Sequence, residues 1–259
     1  MGSTAIEVPD KRFSGLIRYN IIAGVAHAVQ AIAIIALSND FTLPVVANYI
    51  QGPPGTTSFV QITLFDVPVG LAVALFSIMS AIAHFTVATV GRNHYRGDLT
   101  QQQNIARWVE YSLSSTLMII LIAQVTSVVD GMTLLAVAGA NVAMILFGWL
   151  QEKYESPGGG LLPFWFGCIA GIVPWIIIVI FVIAPGSASP VETPAFVYGI
   201  IISLFILFNC FALVQYLQYK PVGKWSNYLR GETAYIVLSL VAKSALAWQV
   251  FAGTLVPPA

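Results

Sequence analysis

Charge is what this sequence lacks most. Only 8% of its 259 residues are Asp, Glu, Lys or Arg, against about 25% in soluble domains. With 58% hydrophobic residues and a mean hydropathy of +0.83, a water-soluble domain is excluded and a polytopic membrane protein is implied. The 11 basic and 11 acidic residues cancel, and no run of Lys and Arg interleaves with aromatics, so nothing supports nucleic-acid binding. Cysteine is scarce too: Cys168 and Cys210 both fall in apolar runs, where they read as small buried hydrophobes and not as a disulfide or metal pair. No repeat at a fixed period is visible, which weighs against a transporter built from duplicated halves. No motif suggests hydrolytic, phosphate-binding or metal chemistry, and no enzymatic activity is expected.

What is present is a series of long apolar runs. Seven stretches, about 14–37, 67–90, 104–128, 132–152, 161–184, 194–219 and 228–255, are long enough to cross a hydrocarbon layer. They predict an all-α membrane protein, a seven-transmembrane-helix bundle that uses residues 1–259 as a single domain. The first run is too long for the core of a cleaved signal and reads as a retained helix. Gly52-Pro53-Pro54-Gly55, Ser156-Pro157-Gly158-Gly159-Gly160, Pro185-Gly186 and Pro221 punctuate the breaks. The one long connection, Ser38 to Asp66, carries VVANYI and SFVQITLF around its Pro-Pro-Gly turn and predicts a short β-hairpin packed on the outer face.

The few charges are distributed unevenly. Apart from Lys243, the basic residues are Lys11, Arg12, Arg18, Arg92, Arg96, Arg107, Lys153, Lys220, Lys224 and Arg230. All lie in the N-terminal segment, the second, fourth or sixth connection, or the span ends beside them. Seven spans put those segments on one side, so the positive-inside bias predicts a multi-pass cell-membrane protein with a cytoplasmic N-terminus and an extracellular C-terminus.

Lys243 is the exception. It lies thirteen residues beyond Arg230 and fourteen before Pro257, roughly 20 Å of helix from either polar end. An ammonium there costs at least ~3 kcal/mol on insertion scales. It is expected to be paired, deprotonated or covalently used, and a desolvated lysine amine is a natural former of imines. Glu110 in the third span is the simplest partner, and these two read as the only opposite charges inside the bundle. Ser114 follows Glu110 by four residues and Ser239 precedes Lys243 by four, so each hydroxyl shares a face with its charge. His27, His84, Asn20, Gln30 and Asn104 fall at similar depths and predict a hydrated cavity among spans 1, 2, 3 and 7, open toward the cytoplasm. The plain alternatives are a salt bridge that only fixes span 3 against span 7, and histidines that only pack. Small residues opposite large aromatics suggest a slot for a long, flat apolar ligand: Met144 and Gly148 in span 4, Trp165 and Trp175 around Pro174 in span 5, Phe205, Phe208 and Asn209 in span 6, and Trp248 in span 7.

RWVEYSLSS (107–115), ILFGWLQEKY (145–154), LLPFWFGCIAGIVPW (161–175), FVYGIIISLF (196–205), FALVQYLQYK (211–220) and GKWSNYLRGE through AYIVLSLVAKSALAWQ (223–249) resemble heliorhodopsin, as do GPPGTT (52–57) and DVPVGLAVALF (66–76). The resemblance covers essentially the whole chain. It implies a light-sensing photoreceptor that holds all-trans retinal covalently on Lys243 as a protonated Schiff base, with Glu110 as counterion and Ser239 beside it. It also implies that His27, His84, Asn20, Gln30, Asn104, Trp108 and Tyr111 belong to the polar cavity, and that the protein is a homodimer through spans 4 and 5 and the first outer loop. Gly167-xxx-Gly171 would suit that interface. A cytoplasmic signalling partner is expected at loops 91–103, 153–160 and 220–227. Pumping rhodopsins place a second carboxylate about three turns beyond the counterion; Leu121 stands there here, and only Asp66, Asp130 and Glu192 mark the outer boundary, which disfavours a pump. A light-gated proton or ion conductance stays open as an alternative, as does a transporter or structural bundle that uses no light.

Overall fold

The computed structural model describes residues 5–184 and 193–255. Pro185-Gly186, Glu192 and Pro257 lie outside the described residues. Among the described residues, eight α-helices and one hairpin follow in order: α1 (Asp10–Leu37), β1 (Thr42–Ile50), β2 (Phe59–Pro68), α2 (Val69–Ala88), α3 (Arg92–Thr100), α4 (Ile105–Val125), α5 (Gly131–Tyr154), α6 (Leu162–Ile183), α7 (Ala195–Tyr219) and α8 (Tyr228–Val250). All but α3 are long and apolar enough to span a membrane, and a π turn at Phe251–Leu255 extends α8.

Local chemistry sets the ends of these helices. Asn104, Asp130 and Asn227 each accept a hydrogen bond from the backbone N–H three residues on, capping α4, α5 and α8. Pro9 precedes α1, and the helix starts four residues earlier than its hydropathy suggests, with acidic Asp10 in the first turn where it suits the helix dipole. α2 starts later than expected because Val67 and Pro68 are still strand, paired with Leu43 and Thr42. The third span is shorter than predicted: α4 stops at Val125, and Ser127 adopts φ 72° in the turn to α5.

The predicted hairpin is present, with Gly52 and Gly55 at positive φ in its turn. Val45, Val46 and Ala47 of β1 are buried, and Val46 N–H bonds the carbonyl of Val129 just before α5. β2 is largely exposed. The helix α3 was not legible as an element. It is bound to the N-terminal segment through Ile6 N–H to Thr100 O, Arg96 to Val8 O and Arg96 to Asp10, with the Arg92 and Arg96 guanidiniums over the Phe13 ring.

The bundle packs α1 against α2 and α8, α4 against α2 and α5, α5 against α6, and α7 against α8. Beyond Lys243 the interior is a layer of fully buried apolar side chains that includes Ile34, Phe76, Leu121, Ile122 and Leu246. The outside is apolar as well: Ile32, Leu71, Ile169 and Ile183 are each more than half exposed, as expected of helices solvated by lipid. Gly167 and Gly171 do not offer a free small-residue face. A Cβ at Gly167 would stand 3.4 Å from Phe147 Cβ of α5, and one at Gly171 would overlap Met144 Sδ, so both glycines serve close α5–α6 packing within the chain.

Candidate functional site

Lys243 projects from the middle of α8 and is 3% exposed. Its Nζ donates to Glu110 Oε1 at 2.9 Å and to Ser239 Oγ at 2.7 Å, and lies 5.2 Å from the centre of the Tyr111 ring. Glu110 Oε1 also accepts from Ser80 Oγ at 2.6 Å. Ser114 is fully buried one turn beyond Glu110. An ammonium and a carboxylate, both withdrawn from water, are thereby neutralised against each other with hydroxyls completing their shells. Ser80 escaped the sequence reading because a serine in an apolar helix gives no signal of what it faces.

On the α1–α2 side of this pair the His27 and His84 rings stack at 5.7 Å between centroids. His84 Nδ1 pairs with Asn20 Oδ1 at 2.7 Å, and Asn20 Nδ2 donates to Leu16 O. Gln30 takes a separate position, donating to Ser77 Oγ at 2.9 Å, and does not line the polar cavity. A small cavity of about 40 Å³ does form there, bounded by Asn20, His84, Asn104, Glu110, Tyr111 and Glu232 among others. His27 stands behind His84, fully buried, and neither of its ring nitrogens has a hydrogen-bond partner.

One expectation is corrected. Glu110 and Lys243 are not the only opposite charges inside the bundle. Arg107, read from sequence as a charge at the cytoplasmic helix end, is 7% exposed and paired with both Glu152 and Glu232, which are themselves buried. Its guanidinium lies over the Tyr235 and Trp108 rings. Trp108 Nε1 and Tyr228 Oη donate to Glu152, and Asn104 Nδ2 donates to Glu232 at 2.7 Å. Glu152 and Glu232 lie near span ends, where a carboxylate ordinarily faces water, so position alone hid their burial.

A second cavity, about 390 Å³, runs from Lys243 and Ser239 away from α1 and α2, among α4, α5, α6 and α7. Trp108, Tyr111, Met144, Gly148, Trp175, Phe208 and Asn209 all line it, so Trp108 belongs to this cavity and Tyr111 to both. A Cβ at Gly148 would stand 2.6 Å from the Trp108 ring. The Trp175 ring meets Phe205 and Phe208 edge-on. Phe205 and Ile172 on the rim are exposed, so the cavity reaches the bundle surface between α6 and α7.

Two predicted lining residues stand outside it. Trp165 follows Phe164, which does line the cavity, and the step of about 100° per residue turns it to the surface, where it is 52% exposed against Tyr216. Trp248, five residues past Lys243 and so about 140° round α8, is 43% exposed against Phe251. Cys168 and Cys210 are unpaired and only half-buried, and Cys168 lines the large cavity. Among the described residues no group of three His, Cys, Asp or Glu side chains could hold a metal ion.

Comparison with known proteins gives a family and a fold. The heliorhodopsin family model matches residues 16–255. No curated protein matches the chain. Among solved structures, a light-driven proton pump from Leptosphaeria maculans is similar with a TM-score of 0.67 at 16% identity, over 95% of this chain and 97% of that one. The transmembrane domain of Salpingoeca rosetta rhodopsin phosphodiesterase gives 0.67 at 13% identity, over 93% and 85%. Thermophilic rhodopsin from Rubrobacter xylanophilus gives 0.63 at 17% identity, over 92% and 95%. Identities this low speak to the seven-helix fold alone.

Proposed function

Because the chain belongs to the heliorhodopsin family of retinal-binding membrane proteins, we propose that it is a light sensor holding all-trans retinal covalently on Lys243, and not an ion pump. The observation that carries this reading is the junction at Lys243: a buried amine with its carboxylate partner on one side and an apolar cavity leading away on the other. The large cavity suits the group. Its volume lies in the range of ligand pockets, aromatic walls flank a slot kept open by Gly148, and the only charged lining group is Lys243 itself.

When bound, retinal supplies absorption of visible light and isomerisation of a double bond. The chain supplies the rest. Glu110 balances the positive charge on the Lys243 nitrogen, and Ser80 and Ser239 fix the geometry of that pair. Moving the nitrogen away from Glu110 removes the favourable charge pair and so promotes loss of its proton. His84, tied to Asn20, and His27 stacked behind it are the imidazoles nearest the pair and the groups through which the proton would leave. The change of charge biases the cytoplasmic ends of the helices toward a signalling state.

Against pumping stands Leu121, fully buried in the apolar layer eleven residues beyond Glu110. The N-terminus is assigned to the cytoplasm and the C-terminus to the outside on the positive-inside bias. Loops 91–103, 153–160 and 220–227 are the proposed surface for a cytoplasmic partner. A homodimer through α5, α6 and the hairpin is supported by Phe59, Ile62, Leu64 and Phe65, apolar and exposed along β2.

The test is a visible absorption spectrum of the expressed protein with all-trans retinal, beside Lys243→Ala. A visible band in the parent alone, bleached by hydroxylamine, is the expected result. No band, or the same band in the variant, overturns the reading and leaves Lys243 and Glu110 as a structural salt bridge.

A further inference from the structure

Three charged groups lie together near the end of the small cavity away from Lys243. Arg107 of α4 stands between Glu152 of α5 and Glu232 of α8, all buried, so with both carboxylates ionised the cluster keeps one uncompensated negative charge. The two carboxylates are not equivalent. Glu152 has four donors: Arg107 and Tyr228 on Oε1, the Asn104 backbone N–H and Trp108 on Oε2. Those fill the roughly four acceptor positions of a carboxylate. Glu232 has two, Arg107 on Oε1 and Asn104 Nδ2 on Oε2, which leaves acceptor capacity open.

Glu232 also lines the small cavity, and Glu152 does not. The same cavity is also lined by Glu110, Asn20 and His84, and its volume of about 40 Å³ accommodates one or more bridging waters between polar groups. Arg107, a further wall residue, keeps its Nε buried without a hydrogen-bond partner, so it has a donor free for a new pairing. Facing the cluster are Tyr228 and Tyr235 of α8, Tyr111 of α4, Tyr219 of α7, Tyr95 of α3 and, across the cavity, His84 and Glu110. Arg107 is the one cation among them, and a proton on Glu232 brings the cluster to neutrality.

We propose that Glu232 is a proton-exchange carboxylate, the endpoint within the bundle for the proton that leaves the Lys243 nitrogen, with Arg107 and Asn104 as its positioning residues. The N–H bond at Lys243 breaks, the proton crosses by way of His84 and a water of the kind the small cavity can admit, and an O–H bond forms on Glu232. Return of the proton reverses each transfer, so no other reactant is consumed. This rests on the photoreceptor reading for the source of the proton, while the capacity of Glu232 to bind one is independent of any chromophore.

The experiment has two arms, both reading the infrared C=O stretch of a protonated carboxyl. In retinal-free protein titrated toward acid, a carboxyl band is expected in the parent, lost in Glu232→Gln, and kept at a shifted frequency in Glu232→Asp, which shows that loss is not misfolding. In retinal-loaded protein, illumination is expected to raise the same band as the Lys243 nitrogen deprotonates, and Glu232→Gln to abolish it. A band unchanged by Glu232→Gln in either arm overturns the proposal. Failure to form any visible pigment overturns the photoreceptor reading instead, and the retinal-free titration still decides whether Glu232 binds a proton.

Discussion

Lys243 Nζ and Glu110 Oε1 lie 2.9 Å apart with both side chains at least nine-tenths buried, so neither charge has water to fall back on. Removing one partner strands the other. Glu110→Gln or Lys243→Ala is expected to cost about 3–5 kcal/mol in the retinal-free protein, and the double variant is expected to cost less than the sum of the two. Thermal unfolding in one detergent checks this; additive losses would show that the two charges are not coupled.

Ser80 offers a finer probe of the same pair. Its hydroxyl is one of two donors on Glu110 Oε1, at 2.6 Å. Ser80→Ala is expected to cost about 1–3 kcal/mol, the range for leaving a buried acceptor short of one donor, and to shift the visible band less than Glu110→Gln does. Ser80→Thr keeps the hydroxyl and is expected to restore most of the band position.

The shape of the large cavity depends on one missing side chain. With a Cβ 2.6 Å from the Trp108 ring, Gly148→Ala forces the indole across the slot. Pigment formation on adding all-trans retinal is expected to fall severalfold, while helicity by circular dichroism stays unchanged. Gly139→Ala on the same helix has open space around it and serves as the control.

Arg107 is held by two carboxylates and lies over two aromatic rings. A lysine cannot reproduce a planar, forked donor set of that kind. Arg107→Lys is therefore expected to destabilise the bundle by several kcal/mol, and Arg107→Ala by more, because both carboxylates lose their partner. Equal melting temperatures for the parent and Arg107→Lys would refute the bridging role.

Asp98 on α3 gives a pH signature outside the membrane. Burial raises its carboxyl above the ordinary value of 3.8, with His94 opposing. A carboxyl raised on folding contributes stability that is present below its unfolded value and is lost as pH rises through the folded one. The melting temperature of the parent is expected to fall relative to Asp98→Asn as pH rises from about 3.8 upward. Parallel curves would remove Asp98 as the cause.

How far the sequence alone reaches differs from residue to residue. The seven spans and the hairpin follow from hydropathy and a Pro-Pro-Gly turn, because lipid forces long apolar helices to declare themselves. Lys243 and Glu110 were legible for the converse reason: a charge at that depth has nowhere else to go. Glu152, Glu232 and Arg107 were not, since their places near span ends are where solvated charges normally stand, and only tertiary packing buries them. Trp165 and Trp248 show the other limit, in that an aromatic residue in an apolar helix carries no mark of the face it occupies. The helix α3 is polar and short, and its reason for existing is its contact with residues 6–13, a pairing across some ninety positions that no local pattern encodes.

The apolar layer beyond Lys243 has an electrical consequence. From Tyr111 to Val129 in and after α4, and from Ser244 to Leu255 in α8, there is no Asp, Glu, Lys or Arg. That half of the bundle is an insulator in series with a conducting half. Almost the whole membrane potential then falls across the insulator, and a proton moving between Lys243 and Glu232 crosses little of it. Charge displacement after a flash should therefore be small and nearly independent of voltage, and a cell that polarises its membrane would leave the timing of this switch unchanged.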